Sequence, residues 1–142
     1  GKGTANEIAK MTGVRLFHIK SFLGDNVYIT RGVNTPHPRA GDLEILLSYS
    51  GETRPVIIWA DVIKKFAGTV FAITGTKDST LAKKADLKIV IEEEAKPSTP
   101  RRFYTRAAYV LSPLPVKLAE RLAQRGLKLP EYIISWYHSV TQ

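Results

Sequence analysis

Cysteine is absent from this chain of 142 residues. Without thiols the protein has no disulfide bond, no thiolate metal ligand and no cysteine nucleophile. Long hydrophobic runs are lacking too: no segment approaches the ~20 apolar residues of a membrane-spanning helix, and no secretory signal is visible. These absences predict a cytoplasmic protein without a membrane partner, and a hydrophobic content of 44% is enough for a packed core.

Acidic residues are the scarcer charged class, with 13 Asp and Glu against 21 Lys and Arg and a formal net charge of +8. Because the positive residues are scattered and form no basic tail, we expect no nucleic-acid partner. A positive field also attracts phosphorylated metabolites. One dense group is interpreted as a solvated helix start with buried aromatics, with an anion or RNA contact as the alternative: Arg101, Arg102, Phe103, Tyr104 and Arg106.

Apolar periodicity divides the chain into alternating helices and strands. Helical spacing covers residues 4–23 and 54–67, and a shorter helix falls between the last two strands. The predicted strands are short and apolar, at residues 27–30, 43–47, 70–74 and 88–91. Such strands alternating with helices predict an α/β fold, layered around a mostly parallel sheet with right-handed crossovers.

A polar linker at residues 92–100 separates the predicted core, residues 1–92, from a helical tail, residues 101–142. Two prolines inside the tail predict a break near Ser112. A last short helix is predicted over residues 130–138. The whole chain is within the size of one ordinary domain, so we expect a single domain.

A group of hydroxyl side chains directly follows the predicted strand at residues 43–47. Ser48, Ser50 and Thr53 surround Gly51, and a helical pattern with a proline in its first turn begins next. Hydroxyls and free backbone N–H groups at a helix N-terminus form an anion site, which the helix dipole favours. Three hydroxyls around a glycine favour a phosphate ligand, and an ordinary N-capping loop is the alternative interpretation.

The wording S-Y-S-G-E-T of residues 48–53 resembles the phosphosugar-binding loop of the sugar isomerase (SIS) domain family. The similarity continues in order through most of residues 25–92, where D-S-T-L-A at residues 78–82 resembles the family's next loop and short helix. More weakly, Tyr137-His138-Ser139 and Thr35-Pro36 resemble the 6-phospho-3-hexuloisomerase branch. The resemblance implies a three-layer α/β/α sandwich with a flavodoxin- or Rossmann-like sheet, a sugar phosphate ligand, and no metal or organic cofactor.

The resemblance also bears on the start of the chain. Family members have a first strand before the segment that matches Gly1 to Thr4, so this strand is expected to be missing here and supplied by another segment, another chain or a longer form of the protein. Gly3 and Thr4 match the family's first loop and are predicted to bind the phosphosugar. A dinucleotide-binding fingerprint is a weaker alternative, because no strand precedes it.

Isomerisation of aldoses and ketoses passes through an enediolate, so it needs a base near the carbon-bound proton and a proton donor for the carbonyl oxygen. His138 matches the C-terminal histidine of the resembled branch and is the first catalytic candidate. His37 follows a predicted strand in a proline-flanked loop, where ligands gather in open α/β sheets. Glu52 either orients the substrate or, as we prefer, stabilises the first helical turn. His18 is interpreted as an ordinary surface or interface histidine.

Three positions depart from the resembled family. Ala5 stands where the first loop usually carries a serine, and Gly32 and residues 105–106 stand where the phosphohexuloisomerases carry glutamates. Glu93, Glu94 or a neighbouring subunit would then have to supply the base. The first interpretation is a sugar-phosphate isomerase, and the alternative is a non-catalytic domain that senses a sugar phosphate.

The first predicted helix indicates self-association. Val14 and Phe17 lie off its main apolar stripe, so more than one face needs burial. Closed symmetric assemblies are the usual outcome of such surfaces, and SIS domains commonly build sites between subunits. We therefore expect a homodimer or homotetramer.

Overall fold

Three parallel strands form the sheet in the computed structural model, which describes residues 1, 3–20, 27–28, 36–93, 101–128, 131 and 135. The strands are β1 (Leu43–Ser48), β2 (Thr69–Thr74) and β3 (Leu87–Val90), in the spatial order β1-β2-β3. Ser48 is opposite Thr74 in the register, so β1 and β2 end side by side. Within the described residues no strand pairs with the outer edge of β1.

Helices connect the strands and cover both faces of the sheet. In the described part of the chain they are α1 (Thr4–Lys20), α2 (Arg54–Lys65), α3 (Thr80–Lys84), α4 (Arg101–Leu111) and α5 (Leu114–Gln124). Because parallel neighbours need crossover connections, α2 links β1 to β2 and α3 links β2 to β3. None of these helices is long and apolar enough to cross a membrane.

Each face of the sheet has its own hydrophobic core, since successive side chains of a strand point to opposite faces. Leu46 packs with residues of α2 and α3 on one face, including Val56 and Leu81. Leu47 packs with α1 and α4 on the other face, where Phe103 is completely buried. The predicted three-layer α/β/α sandwich is therefore confirmed.

The helical tail breaks near Ser112, as its two prolines led us to expect. α4 ends at Leu111 and α5 begins at Leu114, with Pro113 at its N-cap. The predicted strand at residues 27–30 is not seen at Val27 and Tyr28, which have no regular secondary structure, and its remaining residues lie outside the described part of the chain. Most of the predicted helix at residues 130–138 also lies outside it.

Candidate functional site

The hydroxyl loop, residues 48–53, runs from the carboxyl end of β1 to the first turn of α2. Thr53 is the N-cap of α2, and Pro55 follows in the first turn, where a missing N–H leaves no donor unpaired. In open α/β sheets, ligands bind outside the carboxyl ends of the strands. The loop predicted from sequence thus lies at the end of the sheet where a ligand is expected.

The hydroxyl groups of this loop make different contacts. Ser48 is only 4% exposed, and its Oγ accepts from the backbone N–H of Gly51 at 3.2 Å and lies 2.9 Å from Thr53 Oγ1. Ser50 is exposed, and its Oγ accepts from the backbone N–H of Glu52 at 3.2 Å. Ser48 thus closes the loop from inside, whereas the Ser50 hydroxyl keeps its hydrogen available to a ligand.

Backbone donors at the start of α2 lack partners among the described residues. The Thr53 side chain makes no capping hydrogen bond to the helix. No described group accepts from the N–H of Thr53 or Arg54. Unpaired N–H groups and the helix dipole together favour an anion at this position.

Gly51 allows the hydroxyl loop to pack directly against the start of α3. Its φ is +65°, and a Cβ built on it would lie 2.1 Å from Ser79 Oγ. The Gly51 carbonyl also accepts from the backbone N–H of Leu81 at 3.0 Å. Only glycine combines this backbone conformation with this close approach.

The side chain of Glu52 also connects the hydroxyl loop to the start of α3. Its Oε1 accepts from the backbone N–H of Thr80 at 2.7 Å. This backbone hydrogen bond, helped by the Thr80 side chain, lowers the pKa of Glu52 below its ordinary value. The contact supports the structural interpretation of Glu52, and its predicted catalytic role stays a prediction.

A cavity of about 160 Å³ adjoins the hydroxyl loop. It is smaller than the ~300–1,000 Å³ of most small-molecule pockets, so the described residues form only part of a site for a sugar phosphate. Its lining combines hydroxyl and aromatic groups with a small apolar surface: Ala5, Leu47, Ser48, Tyr49, Ser50, Thr53 and Tyr104.

Two tyrosines belong to this lining, although nothing in the sequence assigned either of them to the phosphosugar site. Tyr49 contacts Phe103 edge to face, and Phe103 contacts Tyr104 in the same way, with ring centroids 5.3 Å apart in both pairs. Phe103 is buried as predicted, but Tyr104 is only half-buried. Helical spacing from Phe103 to Ala107 and Leu111 is the signal that could have placed Tyr104 at the margin of the core.

Gly3 and Thr4 lie beside the cavity at the start of α1. Both are exposed, and neither belongs to the lining, whereas the next residue, Ala5, is 3% exposed and does. α1 and α2 therefore both begin at the cavity. The structure brings the predicted Gly3–Thr4 segment next to the hydroxyl loop, and a direct contact of these residues with a ligand stays a prediction.

His37 lies at the opposite end of β1 from the hydroxyl loop. Its ring packs on Phe66, just beyond the end of α2, with centroids 5.5 Å apart. The chain then reaches the amino end of β1, where the Gly41 N–H donates to the Ala67 carbonyl. Since a six-residue strand is about 20 Å long, the structure separates His37 from the predicted site.

Of the other acid–base candidates, the structure describes only Glu93, which does not line the cavity. His138 and Glu94 lie outside the described residues. Glu93 follows β3, and its Oε1 accepts from the Phe103 N–H, while its Oε2 is buried without a partner among the described residues. In the same part of the chain, no group of three His, Cys, Asp or Glu residues could hold a metal ion.

A family model, the SIS domain, matches residues 1–111. The chain belongs to the SIS domain family. The match runs from the start of the chain to the end of α4 and confirms the resemblance carried by the hydroxyl loop. This SIS protein spans about half the length of the curated relatives it matches.

Proteins named as isomerases are among the relatives to which the chain is similar. The 3-hexulose-6-phosphate isomerase of Bacillus subtilis is 38% identical over 63% of this chain and 46% of that protein. A Methanococcus jannaschii protein, whose crystal structure infers a 3-hexulose-6-phosphate isomerase function, is 27% identical with a TM-score of 0.76 over 97% of this chain and 73% of that one. The Vibrio vulnificus NanR protein complexed with ManNAc-6P, at 20% identity and a TM-score of 0.70 over 99% of this chain and 52% of that one, shows the shared fold alone.

Proposed function

We propose that this SIS domain protein binds a sugar phosphate through the hydroxyl loop and isomerises it by moving the carbonyl group between adjacent carbons, the chemistry of aldose–ketose isomerases. The observation that carries the proposal is that the N–H groups of Thr53 and Arg54 have no partner among the described residues and lie, with the Ser50 hydroxyl, beside a cavity. A phosphate suits these donors because it is an anion with several acceptor oxygens. The name of the Bacillus relative supports the same ligand class and the class of intramolecular oxidoreductases.

In the proposed reaction the phosphate is a handle that orients the reacting carbons in the cavity. A base removes the proton from the carbon beside the carbonyl, and an acid protonates the carbonyl oxygen, which gives an enediolate. Return of a proton to the neighbouring carbon completes the isomerisation. The oxidation of one carbon balances the reduction of the other, so the proposal requires no metal or organic cofactor.

His138 is the proposed acid or base. Among the described residues, the lining of the cavity contains no imidazole and no carboxylate. The resemblance to the phosphohexuloisomerases points to His138, and imidazole titrates near neutral pH without assistance. Glu52 and His37 are weaker candidates, because Glu52 is bonded to Thr80 and His37 packs on Phe66.

A non-catalytic phosphosugar-sensing domain is the second candidate. It is favoured by the same lack of an acid–base group in the described lining, together with the departures from the family at Gly32 and residues 105–106. Both candidates share the phosphate site, so binding alone does not separate them.

Exchange of the carbon-bound proton in heavy water separates the two candidates. The intact full-length protein should incorporate deuterium into 3-hexulose 6-phosphate, since even a slow enediolate route exchanges that proton. His138→Ala should reduce the rate by about 10²–10⁴-fold, the range for one general acid–base group, and leave phosphate binding unchanged. Binding without any exchange by the intact protein would overturn the isomerase and support the sensor.

We also propose a homodimer or homotetramer, located in the cytoplasm. α1 exposes a second apolar face, with Met11 43%, Val14 50% and Phe17 50% exposed. A helix that is apolar on opposite sides is stabilised when both sides are covered. Light scattering at micromolar protein should therefore give a multiple of the 15.8 kDa chain mass, and a monomer would contradict the assembly.

A further inference from the structure

Tyr104 is held firmly at the wall of the cavity by the packing of α4. Its neighbour Phe103 is completely buried, and Ala107 and Leu111 of the same helix are also in the core. The edge-to-face contact with Phe103 limits the rotation of the Tyr104 ring. The side chain is thus a fixed wall facing a cavity whose polar donors come from the hydroxyl loop.

The Tyr104 hydroxyl has no hydrogen-bond partner among the residues that the structure describes, although the side chain is half-buried. Among the described residues the only fully buried side-chain polar atom without a partner is Glu93 Oε2, so the Tyr104 hydroxyl is accessible to solvent or to a ligand. The cavity lining that contains Tyr104 also contains apolar Ala5 and Leu47, which need no polar neighbour. A phenol that can donate and accept is therefore left for a ligand bound in the cavity.

We propose that Tyr104 is a sugar-contacting residue that makes the site select sugar phosphates over inorganic phosphate. Its ring packs against the carbon chain of the sugar, and its hydroxyl hydrogen-bonds to a sugar oxygen. The inference rests on the proposed function, because it assigns the phosphate to the hydroxyl loop and the sugar to the facing helix.

Calorimetric titration of the full chain tests this division, with inorganic phosphate, fructose 6-phosphate and arabinose 5-phosphate as probes. Tyr104→Phe removes only the hydroxyl and should raise the Kd of both sugar phosphates about 3- to 10-fold, with less than about twofold change for inorganic phosphate. Tyr104→Leu also removes the aromatic ring and should raise the sugar-phosphate Kd by about tenfold or more relative to the wild type. Tyr109→Phe is the matched control, because Tyr109 is on the same helix and 82% exposed, and it should change neither constant.

The possible outcomes distinguish a failure of the Tyr104 assignment from a failure of the proposed function. Loss of affinity for the sugar phosphates alone supports the assignment. Equal losses for sugar phosphates and inorganic phosphate, or no loss in Tyr104→Phe and Tyr104→Leu, overturn the role of Tyr104 and leave the phosphate site standing. A wild-type chain that is folded but binds none of the probes overturns the proposed function and this inference together.

Discussion

Two strand–loop–helix connections end side by side at the same edge of the sheet, and they differ in what occupies the start of the helix. The β2–α3 loop, residues 75–79, is filled by the protein itself. Ser79 Oγ accepts from the Ala82 N–H at 3.3 Å and donates to the Thr76 carbonyl at 2.9 Å. The carboxylate of Glu52 supplies the anion, at the Thr80 N–H.

The hydroxyl loop has similar residues but leaves the start of α2 open. Thr53 contacts Ser48 and makes no side-chain capping bond, and the N–H groups of Thr53 and Arg54 have no partner among the described residues. A loop rich in serine and threonine is therefore a candidate ligand site only when its donors are left unpaired. This contrast supports the binding of an external phosphate at the start of α2 and explains why the start of α3 needs no external anion.

The largest expected effect comes from Gly51→Ala, which forces the two loops apart. A Cβ would overlap Ser79, and the positive φ adds backbone strain, so the free energy of unfolding should fall by about 2–5 kcal/mol. Gly41→Ala is the matched control, because Gly41 also has positive φ but an open surrounding. It should cost only about 1–2 kcal/mol. Equal losses in urea denaturation would contradict the packing argument.

The two serines should give opposite results. Ser50→Ala should weaken sugar-phosphate binding by about 1–3 kcal/mol, because a charge-assisted hydrogen bond is lost, with little change in stability. Ser79→Ala removes the cap of α3 and should lower stability by about 1 kcal/mol. Its sugar-phosphate affinity should stay close to that of the wild type. Calorimetry measures the binding of both variants, and urea denaturation measures their stability. Weaker sugar-phosphate binding in Ser79→Ala but not in Ser50→Ala would contradict a phosphate site at the start of α2.

The hydroxyl loop and the fold could be predicted from the sequence because their signals are local. Residues 48–53 contain the end of a strand, a glycine turn and the start of a helix within one short segment. The core strands are short apolar runs. The partners of Glu52 and His37 are distant in sequence, at Thr80 and Phe66, and no periodicity encodes such contacts. Tyr104 needed the packing direction of α4, which depends on the tertiary fold.

The smallest expected effect concerns the pH dependence of Glu52. Its pKa is lowered in the folded protein, so its contribution to stability is present above the ordinary glutamate value of about 4.3 and is lost as the pH falls through the lower folded value. Glu52→Gln keeps an oxygen that can accept from Thr80 but has no charge to titrate. Its stability should depend less on pH below about 5 than that of the wild type.

Thermal unfolding between pH 3 and 7 measures this difference. Glu131→Gln, an exposed substitution in the described part of the chain, is the control and should follow the wild-type profile. Identical profiles for the wild type and Glu52→Gln would show that the contact with Thr80 contributes nothing measurable to folding.

A phosphate should bind at the start of α2, where N–H groups lack partners among the described residues, and not at the start of α3, where Ser79 and Glu52 already accept from the backbone. Backbone amide chemical shifts measured during titration with a sugar phosphate test it most directly. We expect saturable shifts at Ser50, Thr53 and Arg54, with only small changes at Thr80 and Ala82. Saturable shifts at Thr80 and Ala82, with residues 50–54 unchanged, would contradict it.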